Sequence, residues 1–490
     1  MRQIIQANIH QSFFFAPCID EWIGPEHPAR FVQAFIERQD LKALGLDTLK
    51  RDEGGPAFDP SLLLAVWLYG YFRGISSHRK LELACREEMG FLWLTGNTRP
   101  DHNALWRYWT THREAMRALF KQTVKLAWEM DMVGFVEQAL DGTKIQARCS
   151  GYGTHDKESL EKQLARLDQR IKQLEEQIAQ NGEQASAGLP KQLCDKQRLK
   201  EQVQRALEKL KQGKVKHAHP KEIDAQRMKT DKGFKFGHNA QIVVDAKRAI
   251  IVEAAIAGEP TDQRQLMPML EKAKQTREEL GVKQTPQTKA DTGYATLSEL
   301  QKARQAAHPV QTPPPICWAH TSNPYHSAHF AYDAQAGVVR CPQNHELNPG
   351  RSHEKSGREV TVYSNRQACA KCPGKAACTP GSPARRIEVC AYREDLEKLA
   401  RDWQSEAYRK SYHRRDTIVE PRFARIKQHQ GFRRWSYFGK DKVNAQWQML
   451  CGALNLKEIY RQWKDQGRAF VSKMQKGMKA MNAEGQAACA

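Results

Sequence analysis

The hydrophobic period of this chain changes repeatedly between residues 134 and 305, and that succession restricts the fold more than any other feature. GFVEQALDGTKIQA (134–147) reads as a short β-like run ending at Asp141. Leu160, Leu164, Leu167, Ile171, Leu174 and Ile178 then follow one another at steps of 4, 3, 4, 3 and 4, a heptad seam. NGEQASAGLP (181–190) breaks it, and a second helical stretch carries Leu193, Val203, Leu207 and Leu210. The spacing predicts an antiparallel helical hairpin over 156–213. Three heptads are short for an independent oligomer, so packing of the hairpin on itself is the expected role, with dimerisation and DNA contact as alternatives. Strand signals return in FGHNAQIVVDA (236–246) and AIIVEAAIA (249–257). TDQRQLMPMLEKAKQ (261–275) reads as a helix capped by Asp262, with Gln265 three residues on. QTKADTGYATLSELQKARQ (287–305) reads as strand, Gly-containing loop and helix, with Thr296 and Glu299 as a capping box. The order strand, insertion, strand, strand, helix, strand, helix describes an α/β domain interrupted by a hairpin.

The flanks differ. PSLLLAVWLYGYFRG (60–74), the segment 77–94 and DHNALWRYWTTHREAMRALFKQTVKLAWEM (101–130) show helical spacing, so residues 1–130 are expected to form an all-α N-terminal domain. Two readings stay open there. One is a helix-turn-helix-like DNA reader with Arg107, His112 and Arg113 on phosphates; the other is a helical bundle with Trp106 and Trp109 in its core. Residues 315–395 are proline-rich and irregular in pattern, and from about Glu394 the chain is helical and basic. Residues 466–490 read as a basic, frayed tail.

At 490 residues the chain exceeds one typical core, and its formal charge of +21 points to an anionic partner, nucleic acid above all. Residues 401–490 hold 19 Lys and Arg against 8 Asp and Glu, about half of the excess charge in under a fifth of the length. No run approaches the ~20 apolar residues of a membrane span, and the start MRQIIQANIHQSFFFAPC lacks the apolar segment of a signal peptide. A cytoplasmic, nucleoid-associated bacterial protein is expected, with its 12 cysteines mostly reduced.

Within the basic region, VEPRFARIKQHQGFRR (419–434) keeps one acid, Glu420. Asp141 and Asp291 each close a strand-like run and precede a loop, DGT and DTG. Acids beyond strand ends meet ligands in open α/β sheets, and converging carboxylates call for Mg²⁺ or Mn²⁺ between them. Glu420 is the candidate third acid, and Lys427, seven residues on, is expected on its face of a helix. Pro421 favours a helix start at that point. Asp224, Asp245 and Asp262 are competing acids, the last explained as a cap.

ALDGTKI, KADTGYA, YHRRDTIVEPRFARIKQHQGFRR and KVNAQWQMLCGALNL resemble the insertion-sequence DDE transposases. HNAQIVVDA, TDQRQLMPML, HPARFVQAF and RPDHNALWRYW extend the resemblance over about residues 12–465. It implies an RNase H-like catalytic domain over 131–465, interrupted by the hairpin at 156–213 and a cysteine-rich insertion at 315–395. It implies Asp141, Asp291 and Glu420 as the metal-binding catalytic triad, with two Mg²⁺ or Mn²⁺ ions serving in-line phosphoryl transfer. Lys427 matches the family's C-terminal signature. Tyr412 and Arg415 match it with a spacing to Glu420 one residue longer, and Arg414 or Asp416 are the neighbours that can take their places. Arg433, Arg434, Arg107 and Arg113 join Lys427, Arg415 and Tyr412 as expected DNA contacts. The partners implied are the element's terminal inverted repeats and target DNA, bound by a homodimer. A catalytically inactive DNA-binding protein and a nuclease without strand transfer are the alternatives. Cys369, Cys372 and Cys378, with Cys341 upstream, have the ligand chemistry of a structural Zn²⁺ site; His345 or Cys390 can substitute, and unliganded thiols are the other reading.

Overall fold

The computed structural model describes residues 18–46, 57–149, 153, 155–181, 188–213, 215–230, 233–294, 296–315, 318, 322–355 and 359–466. The expected tail after residue 466 and the centre of the hairpin's breaker lie outside them. The chain divides into two compact units, Met1–Ala127 with Lys427–Ala490, and Trp128–Ile426.

The first unit is all helical. Its centre is the helix α2 (Pro60–Arg73), apolar on every side and buried from Leu63 to Phe72, which is the pattern of a helix surrounded by others. Asp59 caps it through the Ser61 amide at 2.6 Å, Pro60 opens it, and Gly74 closes it at φ 88°. Around it lie Pro28–Glu37, His78–Glu87, Met89–Leu94, His102–His112 and Met116–Glu129. The C-terminal helix Lys440–Gln466 also packs on α2. Asn455 donates to the Thr123 hydroxyl at 3.2 Å, and Trp109 stacks on Tyr437 with centroids 5.4 Å apart. The segment from Lys427 onward therefore joins the N-terminal helices, and the sheet-containing unit ends at Ile426 where an end near 465 was expected. The reason is burial: Trp447, Leu450, Leu454 and Ile459 are covered in this helical core.

The second unit contains a six-stranded mixed sheet. Its strands are β1 (Glu137–Gln146), β2 (Gln226–Thr230), β3 (Gly233–Asp245), β4 (Ile251–Ile256), β5 (Gln287–Ala290) and β6 (Val310–Gln311). β3 is long enough to pair with β2 by its first half and β4 by its second, both antiparallel. Its other edge pairs antiparallel with β1; β1 then pairs parallel with β5, and β5 with β6. The helices Leu266–Glu279 and Leu297–Gln305 follow β4 and β5. Thr296 caps the latter as expected, but Glu299 does not complete the box: its carboxylate accepts from the Met267 amide and pairs with Lys302.

The hairpin forms as the heptads predict. The helices Lys157–Asn181 and Gly188–Lys211 bury Leu160, Leu167, Val203, Leu207 and Leu210 against each other, and Lys200 bridges to Asp168 at 2.7 Å. The proline-rich region is more regular than its sequence suggests. It folds as a five-stranded antiparallel sheet in the order β11-β10-β9-β8-β7, from β7 (Ala331–Asp333), β8 (Val338–Arg340), β9 (Glu346–Glu354), β10 (Glu359–Ser364) and β11 (Ile387–Cys390). Phe330, Val339, Leu347, Tyr363, Ile387 and Val389 form its core. Strands of three or four residues carry too few alternations to be read by period.

Candidate active site

β1 and β5 run parallel with Leu140 beside Ala290. Asp141 and Asp291 are thus the next residues along two neighbouring strands, which lie ~4.8 Å apart in a sheet. β5 stops at Ala290 and the chain turns through Thr292–Tyr294, while β1 continues to Gln146 because β3 still pairs with it, Asp141 opposite Ile242. Asp141 is therefore a mid-strand residue and does not end a strand as its sequence context suggested. The Gly142 amide donates to Asp141 Oδ1 at 2.8 Å and the Thr292 amide to Asp291 Oδ1 at 2.7 Å. Burial is the main cause that pushes the Asp141 carboxyl up to about 6; the Arg415 guanidinium opposes it, and Asp262 and Asp291 add to it.

Asp262 belongs to this neighbourhood. The N-cap of Leu266–Glu279 is Gln265, so Asp262 is not the cap its sequence suggested. Its Oδ1 instead accepts from Asn239 Nδ2 at 2.9 Å and Gln241 Nε2 at 2.8 Å. Gln241 Oε1 accepts in turn from the buried Tyr294 hydroxyl. Asn239, Gln241 and Tyr294 are site neighbours that the acid-led reading of the sequence missed. Their signal was present: two amides at i and i+2, on one face of β3. The other competing acid, Asp245, is structural, accepting from the Gly134, Phe135 and Lys247 amides.

The helix Glu406–Ala424 packs on β1, β3 and β5. Arg415 Nη2 lies 2.8 Å from Asp141 Oδ2 and Nη1 3.2 Å from Asp416, while Arg414 pairs with Glu137 at 2.8 Å. Lys289 pairs with Glu137 and donates to Ser411 Oγ at 3.2 Å. Tyr412 is buried, edge-on to Trp403, and that burial pushes its hydroxyl up. Of the two candidates at the arginine position, Arg415 is the one on Asp141.

Glu420 follows Arg415 by five residues, about 140° around a helix. The residue on the Arg415 face is Val419, fully buried, and Glu420 is exposed with no hydrogen bond or ion pair among the described residues. The one-residue excess in the signature spacing thus has a geometric consequence. Pro421 sits in the last turn of the helix rather than at its start, and the wider π-turn Arg425–His429 follows, carrying Lys427. Among the described residues, no group of three or more His, Cys, Asp or Glu side chains is set to hold a metal ion. The structure brings Asp141, Asp291, Asp262, Arg415 and Tyr412 together, and Glu420 does not close a three-acid cluster with them as the side chains stand.

A sequence-family model of a transposase DDE domain matches residues 340–460, and a second, described as a transposase domain, matches 17–110. Together the two matches indicate an insertion-sequence DDE transposase family. Neither match includes Asp141 or Asp291, whereas the first contains Tyr412, Arg415, Glu420 and Lys427. No curated protein and no solved structure matches the chain.

The remaining residues fall in two places. In the first unit Trp109 is 0% exposed and in the core, but Trp106 is 43% exposed and outside it. His112 is buried with Nδ1 2.9 Å from the Tyr108 carbonyl, which removes it from the residues expected on phosphates. Arg113 donates to the Thr110 carbonyl at 2.7 Å, and Arg107, Arg433 and Arg434 are exposed. In the five-stranded sheet, Cys341, Cys369, Cys372 and Cys378 line one small cavity of about 20 Å³ together with His345. Burial is the main cause that raises the Cys378 thiol, and the other three thiols raise it further. The ten described cysteines form no disulfide among the described residues, and among the described residues no helix is long and apolar enough to cross a membrane.

Proposed function

We propose that this protein cuts the ends of an insertion sequence and joins them to target DNA by metal-dependent phosphoryl transfer. The observation that carries the reading is the pair Asp141 and Asp291, one register step past Leu140 and Ala290, with Asp141 charged only against a burial penalty. The sheet order β4-β3-β1-β5-β6, antiparallel on one side of β1 and parallel on the other, supports an RNase H-like core.

The donor chemistry suits Mg²⁺ or Mn²⁺: hard carboxylate oxygens, with Asp262 and Asp291 close enough to help push the Asp141 carboxyl up, beside a guanidinium that already answers the charge of Asp141. Divalent ions held there would supply activation of a water or a 3′-hydroxyl and stabilisation of the leaving oxygen. Asp141 and Asp291 hold them from the sheet, and Glu420 is the third acid by the family pattern. Arg415, with Tyr412 against it, neutralises Asp141 in the absence of an ion and offers a guanidinium to a DNA phosphate in its presence. Arg107, Arg113, Arg433, Arg434 and Lys427 contact the DNA backbone. The four cysteines round the small cavity are the soft donor set that would hold a structural Zn²⁺ in the five-stranded sheet.

The test uses purified protein, Mg²⁺ and DNA carrying the terminal inverted repeats of the element. Cut and joined products are expected; cutting without joining would indicate a nuclease, and binding alone an inactive derivative. Asp141→Ala, Asp291→Ala and Glu420→Ala are each expected to abolish cleavage while DNA binding survives. Wild-type cleavage by the Asp141 or Asp291 variant would refute the site.

A further inference from the structure

We propose that Asp262 is a further carboxylate of the divalent-cation site, set between the middle of β1 and the loop after Asp291 by a pair of buried amides. The inference rests on the metal-dependent reading above and adds a residue to it.

Position is the first argument. A methyl carbon placed on Gly142, the neighbour of Asp141, would lie 2.7 Å from Asp262 Oδ1 and would also strike the Gln241 amide. One placed on Gly293, two residues after Asp291, would lie 3.7 Å from Asp262 Cβ and 3.8 Å from Oδ2. The Asp262 carboxylate thus lies against the Asp141–Gly142 stretch of β1 and the loop after Asp291, and Gly142 leaves it room where a methyl group would not.

The second argument is how its orientation is fixed. Asn239 and Gln241 are 2% and 0% exposed, and burying side-chain amides is unfavourable unless they are hydrogen-bonded. Both spend a donor on the same oxygen, Oδ1 of Asp262, and Gln241 is itself held by Tyr294. Oδ2 makes no hydrogen bond among the described residues, and Asp262 does not cap the helix that follows, whose Met267 amide is satisfied by Glu299. One oxygen is immobilised and the other is available, an arrangement that suits a ligand held by a second shell.

A third observation points to a cation at this place. Arg415, its side chain 10% exposed, reaches into the acids, and its buried Nε finds no partner while Nη2 is on Asp141. A guanidinium so placed is a partial substitute for a positive charge that the acids call for. With Asp141 Oδ2 turned to Arg415, the carboxylates do not yet enclose a common point; binding of an ion then requires Asp141 to exchange the guanidinium for it.

The experiment is a calorimetric Mn²⁺ titration of the full-length protein, without DNA, for wild type, Asp262→Asn, Asp262→Glu, Asp141→Asn and Glu420→Gln. Asp262→Asn is expected to weaken Mn²⁺ binding at least tenfold, as Asp141→Asn does, and Asp262→Glu to restore part of the affinity. The Mn²⁺-induced rise in melting temperature is expected to shrink in parallel, which separates loss of a ligand from loss of the fold. Wild-type Mn²⁺ affinity in Asp262→Asn would overturn the assignment and leave the function reading standing. No Mn²⁺ binding by the wild type would overturn both.

Discussion

Asp141→Asn should make the metal-free protein more stable at neutral pH, because the wild-type site holds a charge it has paid to bury. The carboxyl stands at about 6 in the fold against 3.8 as its ordinary value. Charging it in the folded protein therefore costs about 3 kcal/mol more than in the unfolded chain. The folded state binds the extra proton between those two values, so the stabilising contribution is complete below 3.8, falls as pH rises through the window, and is gone above about 6. Asparagine keeps an oxygen for the Gly142 amide and carries no charge. Its melting temperature should match wild type near pH 4 and exceed it by ~6 °C at pH 8 in EDTA, at roughly 2 °C per kcal/mol for a unit of this size. Saturating Mg²⁺ should raise the wild-type curve at pH 8 and narrow the gap. Scanning calorimetry of both proteins from pH 4 to pH 8 measures it, and parallel curves across that range would refute the claim that Asp141 is charged against a burial penalty.

Four further outcomes follow from particular contacts. Gly142→Ala should abolish cleavage with near-normal DNA binding, since its methyl collides with Gln241 and Asp262; a gel assay for binding and nicking separates the two. Leu207→Ala, in the hairpin core, should cost about 2–5 kcal/mol of local stability, read by hydrogen exchange over 157–211, with the sheet's exchange unaltered. Arg107→Ala and Arg433→Ala should each weaken DNA binding and flatten its salt dependence by about one phosphate contact without moving the melting temperature. Protein purified without chelator should contain about one zinc per chain by elemental analysis, and Cys372→Ser should lose it; a zinc-free wild type would leave the cavity to unliganded thiols.

Much of this chain was legible because local period and local chemistry agree. The heptads of 160–178 and their partner helix each needed only one another to be buried, so a hairpin could be read from spacing alone. The β3 and β4 runs, the Thr296 cap and the two aspartates followed from signals within a few residues. The strands β7, β8 and β11 did not, because at three or four residues they are shorter than the window in which alternation is visible.

What the sequence determined by itself was the kind of parts: an interrupted α/β unit, a helical N-terminal segment, a basic C-terminal region, and acids carried in DGT, DTG and VEPRF. Tertiary structure decided which parts meet. Strand register placed Asp141 beside Asp291 across 150 residues, and helical rotation put buried Val419 on the Arg415 face with Glu420 exposed about 140° from it. Asp262 changed from a presumed helix cap to a neighbour of both aspartates because two amides of a distant strand hold it, and the last helix joined the N-terminal core because its apolar surface is buried there. Periodicity reports which face of an element seeks cover; the identity of the covering partner is settled only when all the surfaces compete for burial at once.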